Sequence, residues 1–259
     1  MLLAFKRLCA HLPIIVRRPY WKMEIAFRRL LTPRITRKYL DSCNPRILQV
    51  ASGPAYNHEC YQDWLNSDIS NAIGWGKRGV YSIYLDLNDD FPLPSNSFDY
   101  VFSQQAIEHF SYGQGARMLR ECCRILKPGG AMRIETPNIR YFIGNYLSND
   151  KPLGPSLQLA ARDMDAPPIH LTALNQIFLL WDHRYVYDIE TLAELCRSCG
   201  FVNIREVNMG KTDVEPFRAA IAFNPGSDPD PYYIECSFAL EMEKPRNTGQ
   251  HPVSGRRQL

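Results

Sequence analysis

The sequence predicts an α/β protein with a mostly parallel sheet and helices on both of its faces. Three observations carry that reading. From Arg46 onward, short β-rich runs alternate with helical or loop segments, the pattern of strands joined by crossovers. The stretch before Lys127-Pro128-Gly129-Gly130 keeps its apolar residues to one helical face. Finally, 259 residues with 45% hydrophobic and 22% charged side chains suffice for one generous domain with a substantial core, which rules out disorder over most of the chain.

The elements follow in order. Residues 1–44 punctuate as two short basic segments. Leu2, Phe5, Leu8 and Leu12 recur at helical spacing in the first; Trp21, Ile25, Phe27, Leu30 and Leu31 give the second a blurrier face, ended by Pro33. Two readings stand open for this amphipathic region: it covers one side of the main domain, or it lies on an anionic membrane surface. Ile47–Val50 is the first strand, ending in Ala51-Ser52-Gly53. A second ends at Asp68, Tyr81–Tyr84 is a third closed by Asp86, and Phe98–Ser103 a fourth. A helix carrying Met118, Leu119, Cys122, Ile125 and Leu126 on one face is stopped by Pro128 and Gly129. Ala131–Glu135 is the fifth strand. Residues 139–182 break the rhythm with two helical stretches around a Pro/Gly-rich run, and read as an inserted lid. Asp188 caps a helix that Gly200 ends. Val202–Val207 and Tyr232–Met242 complete the strands, and residues 244–259 read as a disordered basic tail.

The formal charge of +3 hides a partition. Residues 1–40 hold ten Lys/Arg against Glu24 alone, whereas residues 41–243 carry 16 basic and 26 acidic side chains. An acidic body with basic ends argues against nucleic acid as a partner, because a nucleic-acid-binding core places its cations on the folded surface. No apolar run reaches the roughly 18–20 residues of a membrane span, and the opening residues lack the pattern of a secretory signal. Eight cysteines in a chain of this size read as free thiols, and Cys196-x-x-Cys199 has no second pair at zinc spacing. A cytoplasmic location is expected, with peripheral contact at the inner membrane face as the variant reading of residues 1–40.

In parallel sheets, ligands bind beyond the carboxyl ends of the strands, which directs attention to Ser52/Gly53, Asp68, Asp86 and Ser103/Gln104. A dinucleotide fingerprint would need glycines at 51, 53 and 56, where the chain has Ala51, Gly53 and Tyr56, so a nicotinamide cofactor is disfavoured. An acid at the end of strand two suits the two hydroxyls of a ribose. For Asp68 this reading stands beside that of an ordinary turn or cap residue.

Leu48-Gln49-Val50-Ala51-Ser52-Gly53, Trp64–Ile69, Leu85-Asp86-Leu87 with Phe91-Pro92-Leu93-Pro94, Ser97–Val101, Ile107-Glu108-His109 and Leu126–Gly130 resemble, in order and spacing, the motifs of class I S-adenosylmethionine-dependent methyltransferases. The likeness is greatest to the small bacterial type associated with surface-polysaccharide biosynthesis. It continues through Leu174–Phe178, His183–Asp188 and Ala193–Phe201, and covers roughly residues 45–243. It implies a Rossmann-like methyltransferase sheet with an antiparallel last strand, and S-adenosylmethionine as cofactor. Ala51, Ser52 and Gly53 would face the methionine part, Asp68 the ribose, Asp86 and Leu87 the adenine, with Ser103 and Gln104 closing the pocket. Ala51-Ser52-Gly53 stands where the family usually has Gly-Cys-Gly.

Methyl transfer from a sulfonium is an in-line displacement that needs alignment and no protein nucleophile. For a sugar hydroxyl as acceptor a base helps, and His109 is the candidate, with His170 and His183 behind it. A cap or packing role for His109 is the competing reading. Related O-methyltransferases bind a divalent metal through Glu-x-x-Glu-His; the corresponding first acid here is Gln105, so no required metal is expected. The expected function is O-methylation of a sugar, a glycan or a glycolipid precursor. The alternative is a non-catalytic methyltransferase-like module in a membrane-associated glycan assembly.

Overall fold

The computed structural model describes residues 14–53, 63–69, 80–148, 161–162, 164–221 and 231–246. Its centre is a seven-stranded sheet: β1 (Ile47–Val50), β2 (Leu65–Asp68), β3 (Tyr81–Tyr84), β4 (Phe98–Gln104), β5 (Leu126–Pro137), β6 (Val202–Val207) and β7 (Ser237–Glu243). The strand order is β3-β2-β1-β4-β5-β7-β6. Strands β1 to β5 pair in parallel, while β7 runs antiparallel to both β5 and β6. The order reverses direction at β1 and β4, the kind of switch point at which such sheets bind ligands.

Alternation along the short strands sends residues to two cores. Leu48 and Val50 join Leu65, Ile83, Val101, Met132 and Ile134 beneath two helices, α2 (Tyr112–Ile125) and α5 (Ile189–Ser198). Ile47, Trp64 and Phe102 face the opposite side, where Phe217 of α6 (Glu215–Ile221) covers them. Helix α2 starts at Ser111, which makes a capping box with Gln114 and so satisfies two amide donors at the helix start. At its far end Arg124 reaches back to the carbonyls of Phe91 and Leu93 at 3.0 and 2.9 Å while paired with Glu121. That one guanidinium holds the Phe91–Pro94 segment against the sheet. A side chain at Gly130 would meet the carbonyls of Asp99 and Lys127 at 2.9 Å, which is why the turn into β5 takes glycine there.

Helix α1 (Ile14–Ser42) is one continuous element, where the sequence suggests two segments stopped at Pro33. The first of those segments lies largely outside the described residues. The second is not amphipathic in the expected sense: its inward face is Arg28, Thr32, Thr36 and Tyr39, all buried, while Met23, Phe27 and Leu30 are exposed. This inversion has a local cause. The helix docks on strand ends, where backbone carbonyls require donors. Arg28 donates to the Asp68 carbonyl at 3.4 Å, and the Thr32 hydroxyl, 3.0 Å from the Arg28 carbonyl of its own helix, also lies 3.4 Å from that of Tyr84. The Tyr39 hydroxyl accepts from the amide of Ile47 at 2.7 Å and donates to its carbonyl at 2.9 Å, which pins the helix to the start of β1.

The stretch after β5 contains α3 (Ile139–Ser148) and α4 (His170–Leu179), which pack on each other through Phe142, Ala173 and Ile177. Two further departures from the sequence reading stand out. The run expected as one strand from Tyr232 begins as a short helix, α7 (Pro231–Cys236), and becomes β7 only at Ser237; Pro231 at the first helical position suits that start. Lys244, read from composition as the first tail residue, is bonded through its amide to Gly130 and through its ammonium to Asn96 and the carbonyls of Arg124 and Leu126. The folded body therefore runs past residue 243.

Candidate functional site

Two groups of side chains meet at the carboxyl ends of the strands. The first surrounds the turn after β1. Ala51 and Gly53 both take left-handed backbone conformations, with φ of 51° and 50°, so the chain reverses sharply around buried Ser52. For Ala51 that conformation is strained, and it falls where the related pattern has glycine. The Ser52 amide donates to the Ser67 carbonyl at 2.9 Å, and the Gly53 amide to Oδ2 of Asp68 at 2.8 Å. The expected ribose carboxylate thus stands directly beside the expected methionine turn. Behind it, Arg28 lies buried with its guanidinium 5.3 Å from the centre of the Tyr84 ring.

Ser52 and Ser103 are buried with hydroxyls that have no hydrogen-bond partner among the described residues, and Oε1 of Gln49 is in the same condition. Buried polar atoms of this kind call for an explanation. The hydroxyls of Ser52 and Ser103, near the paired ends of β1 and β4 and beside a half-buried carboxylate, fit a polar ligand seated at the strand ends. Other expected site residues are placed differently. Oδ1 of Asp86 receives the amide and side chain of Asn88 at 3.0 and 3.1 Å, closing its own turn. Leu87 points into the main core at 4% exposure, so only its backbone is available to a ligand. Gln104 donates sideways to Glu135 at 3.0 Å. Gln105, with φ of 47°, is turned toward the Ser237 hydroxyl at 3.2 Å.

The second group is Glu108, His109 and His183. Glu108 and His109 lie on a single 3₁₀ turn, Ile107–His109, just after β4. His183 arrives from the chain after α4, held there by the amides of Arg184 and Tyr185, which donate to the Glu108 carbonyl at 2.7 and 3.1 Å. The two imidazole rings meet edge to face with centroids 5.0 Å apart. Burial lowers the pKa of both, so each is held toward the neutral form; His183 is lowered further by His109 itself. Glu108 is fully buried and accepts from Thr136 at 2.9 Å through Oε2. Its burial raises the carboxyl to about 7. His170 opens α4 and is not part of this cluster.

Aromatic rings lie near the histidines, with Trp181, Tyr112 and Tyr185 exposed and Tyr187 buried. Trp181 lies 5.7 Å from His183, and Tyr112 lies 5.2 Å from Tyr185, which in turn is 4.7 Å from Tyr187. The sequence singled out His109 and placed His183 behind it, but gave no reason to pair them or to expect Glu108 as a buried partner. The adjacency of Glu108 to His109 was the available signal. A cavity of about 460 Å³ lies elsewhere, between Cys43, Ile47, Trp64 and Glu215, at the amino ends of β1 and β2.

This topology is that of the class I, Rossmann-like methyltransferase fold. Comparison with known proteins agrees: residues 73–134 match a family model described as a methyltransferase domain. The chain is 40% identical over 67 residues to a probable S-adenosylmethionine-dependent methyltransferase of Mycolicibacterium smegmatis, covering 26% of this chain and 24% of that protein. A probable S-adenosylmethionine-dependent methyltransferase of Mycobacterium tuberculosis is 43% identical over 49 residues, 19% of this chain and 17% of that one. The chain therefore matches a quarter or less of the length of these curated relatives. Among solved structures, a SAM-dependent methyltransferase from Archaeoglobus fulgidus superposes with a TM-score of 0.47 at 18% identity, over 87% of this chain and 99% of that one.

Proposed function

We propose that this chain is an S-adenosylmethionine-dependent methyltransferase that methylates a hydroxyl of a sugar or glycolipid precursor. The observation that carries the cofactor assignment is the Asp68 carboxylate set beside the Gly53 amide, among the unpartnered hydroxyls of Ser52 and Ser103. Asp68 would take the ribose hydroxyls, and the turn at Ala51, Ser52 and Gly53 the amino-acid end. Ser103 would line the floor. The cofactor supplies an electrophilic methyl group on a sulfonium; the protein aligns the acceptor oxygen behind it. His109, largely neutral by burial, is placed to receive the proton that the acceptor hydroxyl gives up as the new oxygen–carbon bond forms. The exposed rings of Trp181, Tyr185 and Tyr112 offer flat apolar faces of the kind on which sugar rings stack, which supports the acceptor class.

Calorimetric titration with S-adenosylmethionine tests the cofactor. Mass spectrometry of surface glycans from cells with and without the gene tests the acceptor, the expected result being one lost methyl group. Replacing His109 with alanine should lower the methyl-transfer rate roughly 10²- to 10⁴-fold while cofactor affinity stays within a factor of three. An unchanged rate would return His109 to a packing role. The non-catalytic module is the second reading, and the strained Ala51 turn favours it; absence of binding at millimolar cofactor would establish it over the enzyme.

The outer face of α1 supports peripheral contact with an anionic bilayer at the cytoplasmic side. Met23, Phe27 and Leu30 are exposed at helical spacing and flanked by exposed Lys22, Arg34, Arg37 and Lys38, an apolar stripe with a basic border. Sedimentation with phosphatidylserine vesicles should fall several-fold when Phe27 and Leu30 become serine. Equal sedimentation of the variant removes this contact.

A further inference from the structure

We propose that Glu108, His109 and His183 form a binding site for a divalent transition-metal ion of the zinc or cobalt type, an inference that rests on these side chains and not on the methyl-transfer reading. One ligand atom from each lies within 4.8 Å of the others. They come from two separated stretches, the 3₁₀ turn after β4 and the chain returning from α4.

Two features mark the group as more than three neighbours. The first is Glu108. Its side chain is fully buried, Oε2 is bonded to Thr136, and Oε1 has no partner among the described residues. A carboxylate oxygen in that position calls for a cation or a donor. The second is how the imidazoles are held. Nδ1 of His183 is 2.7 Å from the Ile177 carbonyl, and the His109 ring meets that of His183 edge to face with centroids 5.0 Å apart. A histidine that donates one ring N–H to a backbone carbonyl presents its other nitrogen as a lone pair, the arrangement that orients metal-bound histidines. Trp181 and Asp182 are both left-handed, at φ of 63° and 58°. Two such residues in succession are costly outside glycine, and here they immediately precede His183 in the chain.

The donor set selects the ion. Two imidazoles and one carboxylate are a zinc-type set with a coordination position left open, and imidazole favours zinc, cobalt or iron over magnesium, which prefers oxygen. Gln105, whose side chain bonds Ser237, adds nothing to it; the third ligand that the sequence lacked at that position comes from the chain after α4 as His183. Bonds of about 2.0–2.1 Å in a tetrahedral set place ligand atoms about 3.4 Å apart. The group therefore closes by about an ångström on binding, a movement that two half-buried rings can make by rotation. An ion held there would use His109 as a ligand, so its role as proton acceptor applies to the metal-free protein.

The test uses the full chain, stripped with chelator and titrated with cobalt(II) in the absence of cofactor. One equivalent is expected to bind, with the visible absorption of a four- or five-coordinate ion, and zinc should displace it. His183→Ala should weaken cobalt binding by more than the roughly 10- to 100-fold that follows loss of an outer partner, with the circular dichroism spectrum preserved. Glu108→Gln is a second variant with the same expectation. No stoichiometric binding by the unaltered chain, or equal affinity in folded His183→Ala, overturns the site. Either result is independent of whether the protein binds S-adenosylmethionine.

Discussion

Replacing Asp68 with alanine is expected to weaken S-adenosylmethionine binding roughly 30- to 1000-fold. The carboxylate would accept two hydroxyl hydrogen bonds from the ribose, each contributing about 1.5–3 kcal/mol when sheltered. At a half-buried position solvent screening trims the sum to about 2–4 kcal/mol, which converts at about 1.4 kcal/mol per decade. Asp68 also receives the Gly53 amide at 2.8 Å, so the variant loosens the turn after β1 as well. Asp68→Asn separates the two effects. Its amide oxygen can still accept from Gly53 but carries no charge, so an intermediate loss is expected with thermal stability near that of the parent. Calorimetric titration of all three proteins is the measurement. Dissociation constants within threefold of one another would remove Asp68 from the cofactor site.

The largest expected effect on stability is at Arg133. This residue is fully buried in the middle of β5, with its guanidinium 2.6 Å from Glu135 and 2.9 Å from Glu241. It also donates to the carbonyls of Lys211 and Met209 at 3.1 and 2.9 Å. Arg205 reaches the same Glu241 at 2.8 Å from the rim, and Thr212 donates to it as well. Removing the central cation leaves buried carboxylates facing one another. Arg133→Met should therefore destabilise the protein by about 3–5 kcal/mol, lowering the melting temperature by on the order of 10 °C. Adding Glu135→Gln and Glu241→Gln should recover part of the loss, because neutral amides tolerate the absence of the cation. Urea denaturation of the three proteins checks this, and a loss below about 1 kcal/mol in the single variant would show that the network is not what holds residues 208–213 to the sheet. Glu135 also receives Gln104, so this network forms the floor under the end of β4 from which His109 departs.

How much of this was legible in the sequence varies by element. Strand ends could be read because small and polar residues interrupt apolar runs there, and Ser52, Gly53, Asp68 and Ser103 do lie where that reading placed them. Helix α2 could be read because its apolar residues keep to one face, but it ends at Ile125, and Pro128 and Gly129, expected as its stop, already belong to β5. Helix α1 could not. Its buried face carries Arg28, Thr32 and Thr36, of which Arg28 and Thr32 approach the carbonyls of Asp68 and Tyr84, and a rule that sends apolar residues inward reads such a helix backwards. Leu87 and Asp86 show the same limit at smaller scale: adjacency to a strand end did not tell which side chain is spent on the core or on its own turn.

The sequence by itself determined the order of the strands, the chemistry of the residues at each strand end and the absence of a dinucleotide fingerprint, because these depend on local periodicity and backbone demands. Tertiary structure decided which of those residues meet. Asp68 reaches the Gly53 amide only because β1 and β2 pair in parallel. His183 reaches His109 only because the chain leaving α4 hydrogen-bonds to the Glu108 carbonyl. Contacts between residues far apart in the chain are set by packing and register, which leave no periodic trace in the sequence.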